Sequence, residues 1–473
     1  MASEFRVTHG AISQWEAGHK AVPGPVLRLI EIYEDNLGMV APATEATTGR
    51  TWASRTLQTS IAGGKIALRL ASTSLASLVA SNERAAQLKS ATDKRIGADL
   101  AQTLGDMKGL AAKLGQMLST LGFALPGELR EQLAGLHDRV PPMPSETARA
   151  IVAKELGVLP ERLFRRWEDQ PFAAASLGQV HRATLWGGED VAVKVQYPAV
   201  TKMLTADLKN AALLDRFATL LFRYQERGSA VEELRERFLE ECNYGTEARN
   251  TTEFAKLLAP WHEIVVPRVY PRFSTSRILT TEMLIGRTFA EFTKGADQQE
   301  KNRVGELLFE ATFTLIFRHH IFNCDPSPGN FLFLSDGRVA FLDFGCVKRF
   351  PPRLISVWKR LTVATLKNEQ STLRRELIRH GFIERPDVVD IDQFLAFIRT
   401  LCEPWLVDAT YRFSPSYTER TWRELLDSPE RFKLTMPKDM LFTTRLQWGL
   451  CALLADLGAE ANWHRIMRRI LKI

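Results

Sequence analysis

The chain has 473 residues, a formal net charge of +7 at pH 7 and 45% hydrophobic residues. This length exceeds what one compact core holds, so we expect two to three domains. The small basic excess favours an anionic partner such as a nucleotide or lipid headgroups and does not favour nucleic acid. The five cysteines show no C-x-x-C spacing, which predicts a reducing compartment and no zinc site.

Residues 1–40 have the pattern of a small separate unit. Residues 8–18 give a turn, a helix and a glycine stop, and a helix restarts at Val26–Tyr33. This resembles the second half of a helix-turn-helix whose upstream half is missing. A DNA-binding regulator acting through residues 8–33 is therefore one alternative, and a fusion remnant or an over-extended start is another. Residues 41–60, rich in Ala, Thr and Ser, are predicted to be a linker.

The N-terminus lacks a basic region followed by an apolar run, so no secretory signal is predicted. The most apolar stretches, Ile61–Ala80 and Leu446–Leu457, are interrupted by charged or small residues such as Lys65 and Gly449. We expect no transmembrane segment and a core helix at Leu446–Leu457. The predicted location is cytoplasmic, with any membrane contact peripheral and at the inner face.

Residues 61–165 are predicted to be helical. Ile96–Leu121 carries leucines and methionines along one stripe, and Ser145–Leu156 is a further helix for which Ser145, after Pro144, is the expected N-cap. Strand patterns begin at about residue 166 and include Asp190–Gln196. They are followed by a long helix, Val231–Leu258, and by strands at Glu263–Val269 and Arg277–Met283. We expect an α+β fold with a strand-rich region at 166–286 and a helical region at 287–473.

The segment from Asn323 to Gly345 carries the clearest chemistry. Asp325 and Asn330 stand five residues apart, and a predicted hairpin with a turn at 335–337 leads to Asp343-Phe344-Gly345. Phosphoryl transfer uses these groups in this order. Asp325 would orient or deprotonate the attacking hydroxyl, while Asn330 and Asp343 would hold Mg²⁺ on the nucleotide phosphates.

Lys194 lies near the end of the apolar strand V-A-V-K-V-Q. A lysine is out of place there unless it serves a function. Its expected role is to hold the α- and β-phosphates while paired with a glutamate of the next helix. Glu247 is the predicted partner, and Glu241, nearly two turns earlier, is the alternative.

A loop rich in alanine lies where a glycine-rich phosphate loop would be expected. Alanine restricts positive φ and keeps the backbone farther from a phosphate, so this loop should cover the nucleotide differently from a conventional kinase loop. The predicted nucleotide-contacting residues in it are Ala173, Ala174, Ala175, Ser176, Gly178 and Gln179.

These motifs resemble those of the UbiB family of atypical protein-kinase-like proteins, also called the AarF type. The matches are A-A-A-S-x-G-Q-V at 173–180, K-x-G-Q at 113–116, E-x-D-Y-x-x-E-A-x-N at 241–250, and D-P-x-P-G-N followed by D-F-G. The resemblance runs from about residue 61 to the end. It departs from the family at Asn243, which replaces an aspartate, and at Asn323 and Ser327, which replace histidines.

The resemblance implies a bilobal protein-kinase-like fold with a helical N-terminal extension, residues 61–165, over the place where a protein substrate would dock. Lys113 and Gln116 would point into the nucleotide site. The chain agrees in that Pro351-Pro352 follows Gly345 closely, with no room for an activation loop.

The implied activity is ATP binding with slow hydrolysis or phosphoryl transfer, with Mg²⁺, in support of ubiquinone or other isoprenoid-lipid metabolism at a membrane. The expected acceptor is a small molecule or lipid headgroup rather than a protein. A pseudokinase scaffold that binds nucleotide without turnover is the alternative, against which the intact Lys194, Asp325, Asn330 and Asp343 argue.

Overall fold

The computed structural model describes residues 142–175, 177–198, 235–236, 239–383, 386–387, 389–427 and 441–473. The predicted segments 1–40 and 41–60, most of the helical extension, and the site candidates Lys113, Gln116 and Ser176 lie outside these residues. Within the described ranges, no helix is both long and apolar enough to cross a bilayer.

The first part of the described chain is built on an antiparallel sheet whose central hairpin is formed by Gly178–Thr184 and Asp190–Gln196. The predicted strand at Asp190–Gln196 is observed with those bounds. The sheet consists of β1 (Arg166–Trp167), β2 (Ala173–Ala175), β3 (Gly178–Thr184), β4 (Asp190–Gln196) and β6 (Ile278–Glu282). Two helices precede it, α1 (Ser145–Leu156) and α2 (Pro160–Leu163).

Side chains along β4 point alternately to the two faces of the sheet, and this places Lys194 and the valines on opposite faces. Val191, Val193 and Val195 are fully buried and pack in one cluster with residues of α1. Each such side chain contributes roughly 1.5–3 kcal/mol by leaving water. Because successive strand residues point to opposite faces, Lys194 lies on the face away from this cluster.

Helix α3 (Tyr244–Leu258) is shorter than the predicted helix over Val231–Leu258. The helix is interrupted at Asn243, whose side chain accepts a hydrogen bond from the Gly245 amide at 3.0 Å and so caps α3. Asparagine favours such caps because its side chain competes for backbone hydrogen bonds. The departure at Asn243 thus keeps a capping oxygen and loses a charge.

The expected N-cap at Ser145 is wrong by one residue. Helix α1 has the predicted bounds, but Pro144 occupies the cap position and its carbonyl accepts from Thr147 and Ala148 at 3.0 and 3.2 Å. No side-chain cap is formed there. Ser145 is instead the first helical residue.

A second sheet holds the predicted catalytic hairpin. Its order is β5 (Ile264–Val265), β10 (Val339–Phe341), β9 (Phe331–Phe333) and β7 (Arg287–Thr288). The predicted strand at Glu263–Val269 is therefore mostly wrong, since only β5 is strand and it pairs in parallel with β10. The predicted strand at Arg277–Met283 is confirmed as β6 beside β4.

The rest of the described chain is mainly helical, as predicted. Its strands outside the second sheet are β8 (Ile321–Asn323), paired with β11 (Val347–Arg349), and β12 (Tyr411–Arg412), paired with β13 (Glu460–Ala461). Its helices are α4 (Phe289–Gly295), α5 (Gln298–His319), α6 (Pro352–Leu366), α7 (Gln370–Arg379), α8 (Ile391–Leu406), α9 (Pro415–Asp427), α10 (Leu441–Leu457) and α11 (Trp463–Leu471).

Helix α5 runs through the main core, where the Phe309 ring packs against Trp405 and Trp463 in tilted arrangements, at 5.8 and 5.1 Å between ring centroids. Helix α10 is the core helix predicted for the apolar run at 446–457, with its buried leucines in the same cluster. Gly449 is buried in α10, and a Cβ added there would lie 2.4 Å from Pro326 Cγ. The glycine that interrupts this apolar run therefore lets α10 approach the predicted catalytic loop closely.

Candidate active site

The centre of the site is a buried ion pair between the sheet and α3. Lys194 Nζ lies 2.9 Å from both carboxylate oxygens of Glu247, in the first turn of α3. The Lys194 side chain is 14% exposed and that of Glu247 is 5% exposed. The two predicted partners are thus in direct contact, and Lys194 also lies 3.4 Å from Asp343 Oδ2.

Burial and charge act against each other in this cluster. Burial lowers the pKa of Lys194, but the Asp343 and Glu247 carboxylates outweigh it and hold that pKa well above its usual value. Burial is also the main reason that the pKa of Glu247 is raised to about 7, with Asp343 adding to it and Lys194 opposing it. Two carboxylates therefore share one ammonium, an arrangement that favours an additional cation nearby.

Asp343 is fixed by its own turn. Its Oδ1 accepts a hydrogen bond from the Gly345 amide at 2.8 Å, and its carbonyl accepts one from Asn323 Nδ2 at 2.7 Å. Phe344 is fully buried against Phe254 of α3, with 4.7 Å between the ring centroids. These contacts orient the Asp343 carboxylate beside Lys194.

Asp325 and Asn330 are brought together by a short 3₁₀ turn at Pro328–Asn330. Asn330 Nδ2 donates to the Asp325 carbonyl at 2.9 Å and to Asp325 Oδ2 at 3.2 Å. The Leu342 amide donates to the Asn330 carbonyl at 2.9 Å, which ties this loop to the residue before Asp343.

With the amide assigned in this orientation, the side-chain oxygen of Asn330 is the atom left to ligate a metal. Together with the carboxylate of Asp343 it offers the all-oxygen donor set that Mg²⁺ prefers. The residues present therefore fit the predicted metal.

The alanine-rich loop forms a tight hairpin. Ala173, Ala174 and Ala175 form β2 and pair with β3, with Ala175 opposite Gly178. Ala173 and Ala174 are exposed and Ala175 is half-buried. The alanines thus lie in regular strand next to the turn. None of them adopts the positive φ that would favour glycine.

Gln179 does not join the site. Its side chain is 1% exposed, its Oε1 accepts from the Met143 amide at 2.8 Å, and its Nε2 contacts His181 Nε2 at 2.9 Å. It lies opposite Val195 of β4, and therefore on the face away from Lys194. The expectation that the Gln179 side chain contacts nucleotide is corrected by this alternation.

Glu241 lies near the D-F-G turn, and the observed partner of Lys194 is Glu247. Its side chain is 8% exposed, and its Cγ is 3.8 Å from the point where a Cβ on Gly345 would stand. It adds to the rise in the pKa of Glu247. The alternative pairing of Lys194 with Glu241 is not the one observed.

Asn250, on α3, was not among the predicted site residues. Its Nδ2 donates to the Phe344 carbonyl at 2.9 Å, and its Oδ1 accepts from Arg349 at 3.1 Å. It thereby joins the helix that carries Glu247 to the turn that carries Asp343. The sequence signal that could have identified Asn250 is its place at the end of the E-A-x-N pattern.

The part of the chain that carries these residues matches a known family. The sequence model of the ABC1 atypical kinase-like domain matches residues 135–377, just over half of the chain. The protein belongs to the ABC1 atypical kinase-like family. The predicted UbiB-type resemblance and kinase-like fold class are thereby confirmed.

Similar members of the family include the mitochondrial atypical kinase COQ8 of Saccharomyces cerevisiae, 29% identical over 77% of this chain and 74% of that protein. A probable protein kinase UbiB of Marinobacter nauticus is 32% identical over 65% of this chain and 57% of that protein. An uncharacterized Synechocystis protein, sll0005, is 32% identical, and the chain spans 43% of its length.

Among solved structures, the Rv3197–erythromycin complex from Mycobacterium tuberculosis is 28% identical with a TM-score of 0.58. The match covers 75% of this chain and 90% of that one. This protein thus shares its mixed arrangement of sheets and helices with a solved relative.

Proposed function

We propose that this family member binds ATP with Mg²⁺ and transfers or hydrolyses its terminal phosphoryl group. The observation that carries the proposal is the contact of Lys194 with both Glu247 and Asp343, which joins β4, α3 and the D-F-G turn. This is the pairing that phosphoryl-transfer enzymes of the kinase type require for an active nucleotide site.

Each residue has a role that its position supports. Lys194, held by Glu247, would hold the nucleotide phosphates. Asp343 and Asn330 would hold Mg²⁺, which supplies charge neutralisation at the phosphates. Asp325, 4% exposed and hydrogen-bonded by Asn330, would orient or deprotonate the attacking hydroxyl.

The acceptor in this proposal is water, a small molecule or a lipid headgroup. Support comes from the chain after Gly345, where β11 pairs at once with β8 and α6 begins at Pro352. This leaves no activation segment of the kind that binds a protein substrate. The family resemblance adds ubiquinone or another isoprenoid lipid as the metabolic setting of the activity.

Calorimetric titration of ATP into the purified full chain, with and without Mg²⁺, tests the nucleotide site. Wild type should bind ATP in a Mg²⁺-dependent manner and Asp343→Asn should lose this dependence. Asp336→Asn is the matched control, because Asp336 lies in the exposed hairpin turn and pairs with Arg338. Unchanged Mg²⁺ dependence in Asp343→Asn would refute the site assignment.

A further inference from the structure

Tyr244 is a buried residue beside Lys194 that the mechanism above leaves unused. It opens α3, and its side chain is 1% exposed. Lys194 Nζ lies 4.8 Å from the centre of its ring, within the range of a cation–π contact. The ring is therefore part of the wall against which the lysine is held.

The hydroxyl of Tyr244 is the unusual part of this residue. It is buried, and none of the described residues supplies it with a hydrogen-bond partner. A buried hydroxyl without a partner costs free energy that a phenyl ring of the same shape would not. The hydroxyl is therefore expected to gain its partner when something else occupies the site.

The position of the hydroxyl indicates what that partner is. A Cβ added to Gly178 would lie 2.8 Å from the Tyr244 oxygen and 2.3 Å from the Val195 carbonyl. Gly178 is the first residue of β3 after the turn of the alanine hairpin, opposite Ala175. The hydroxyl thus lies beneath the hairpin in the place of a phosphate loop, on the same side as Lys194.

We propose that the Tyr244 hydroxyl donates a hydrogen bond to a phosphate oxygen of the bound nucleotide. This rests on the proposed function, which it extends by adding a phosphate-binding residue. A phenol at this place gives the site a neutral hydrogen-bond donor beneath a hairpin whose alanines are paired in regular strand. A side chain at Gly178 would collide with the Val195 carbonyl as well as with the phenol.

The substitution Tyr244→Phe separates this role from packing. It removes the oxygen and keeps the ring against Lys194. If the hydroxyl serves the nucleotide, the unliganded variant should melt at the same temperature as wild type or higher, while its affinity for Mg²⁺–ATP falls by about tenfold or more. Adenosine, which has no phosphate, should bind both proteins equally.

Tyr417→Phe is the matched control, since Tyr417 is 2% exposed and its hydroxyl donates to the Leu401 carbonyl at 2.7 Å. It should lower the melting temperature and leave nucleotide affinity unchanged. Equal Mg²⁺–ATP affinities in wild type and Tyr244→Phe would overturn the proposal, as would a Tyr244→Phe variant that behaves like the control. If wild type itself binds no Mg²⁺–ATP, the proposed function fails instead, so the two failures are distinguishable.

Discussion

Lys194 and Glu247 are 53 residues apart in sequence, yet the lysine nitrogen lies 2.9 Å from both oxygens of the glutamate. The pair connects the face of β4 that is turned away from the valine core to the first turn of α3. Since Lys194 also contacts Asp343, the same ammonium group joins α3 to the D-F-G turn.

Glu247→Gln should weaken both the fold and the nucleotide site. The neutral amide keeps the shape but removes a charged partner from a buried lysine, which we expect to cost about 1.5–3 kcal/mol in unfolding free energy. Affinity for Mg²⁺–ATP should fall as well, because Lys194 is less firmly held. Chemical denaturation and calorimetry on the same samples measure both effects.

Glu253→Gln is the control on the same helix. Glu253 pairs with Arg349 at the surface, with 43% of its side chain exposed, so its loss should cost no more than about 1 kcal/mol. If the two variants behave alike in stability and in affinity, the buried pair has no special role.

Gly449→Ala should displace the loop that contains Asp325 and Pro326. The added Cβ would meet Pro326 Cγ at 2.4 Å, so either α10 or the loop next to Asp325 must shift, at a cost of about 1–3 kcal/mol. Turnover should fall more than ATP affinity, because the role proposed for Asp325 is toward the nucleophile. Gly295→Ala in α4, where the nearest atom would be 3.7 Å away, should leave both unchanged. A Gly449→Ala protein with wild-type stability and turnover would show that the contact is unimportant.

Stability should depend on the protonation of His181. Its Nδ1 lies 2.9 Å from the Glu168 carbonyl and must donate to it, so Nε2 accepts from Gln179 and the ring is neutral. Burial lowers the pKa of His181 below its usual 6.5. The unfolded chain then binds more protons than the folded one as the pH falls below 6.5, so stability decreases in that direction.

Glu247 acts with the opposite sign between pH 4.5 and about 7, because its pKa is raised and the folded state binds the extra proton. The His181 effect is therefore measured as a difference. Between pH 8 and pH 5, wild type should lose more stability than His181→Gln. Parallel curves for wild type and His181→Gln would contradict the assignment.

The sequence predicts which charged residues meet in this site better than it predicts the bounds of the helices and strands. Lys194 could be found because a charged residue within an apolar strand is costly to bury, and Asp343 because it follows an apolar strand in the D-F-G pattern. The pairing with Glu247 could be ranked but not fixed, because the choice over Glu241 depends on the break at Asn243, which turns α3 relative to the residues before it.

Gln179 shows where reading the motif fails. Its place in the alanine-rich pattern predicts a nucleotide contact, but the alternation of β3 sends its side chain into the core beside Met143. Contacts such as that of Asn250 with the Phe344 carbonyl join residues far apart in sequence. The E-A-x-N pattern marks Asn250 as a motif residue, but the partners in such contacts follow only from the three-dimensional arrangement.

If this site performs chemistry on Mg²⁺–ATP, a single-turnover measurement of phosphate release will detect it. Wild-type protein with limiting Mg²⁺–ATP should release or transfer the terminal phosphoryl group, and Asp325→Asn should bind ATP with wild-type affinity while losing about 100-fold or more of the rate. Equal rates for wild type and Asp325→Asn would contradict the role proposed for Asp325. Wild type that binds Mg²⁺–ATP without any turnover would contradict phosphoryl transfer and favour a nucleotide-binding scaffold.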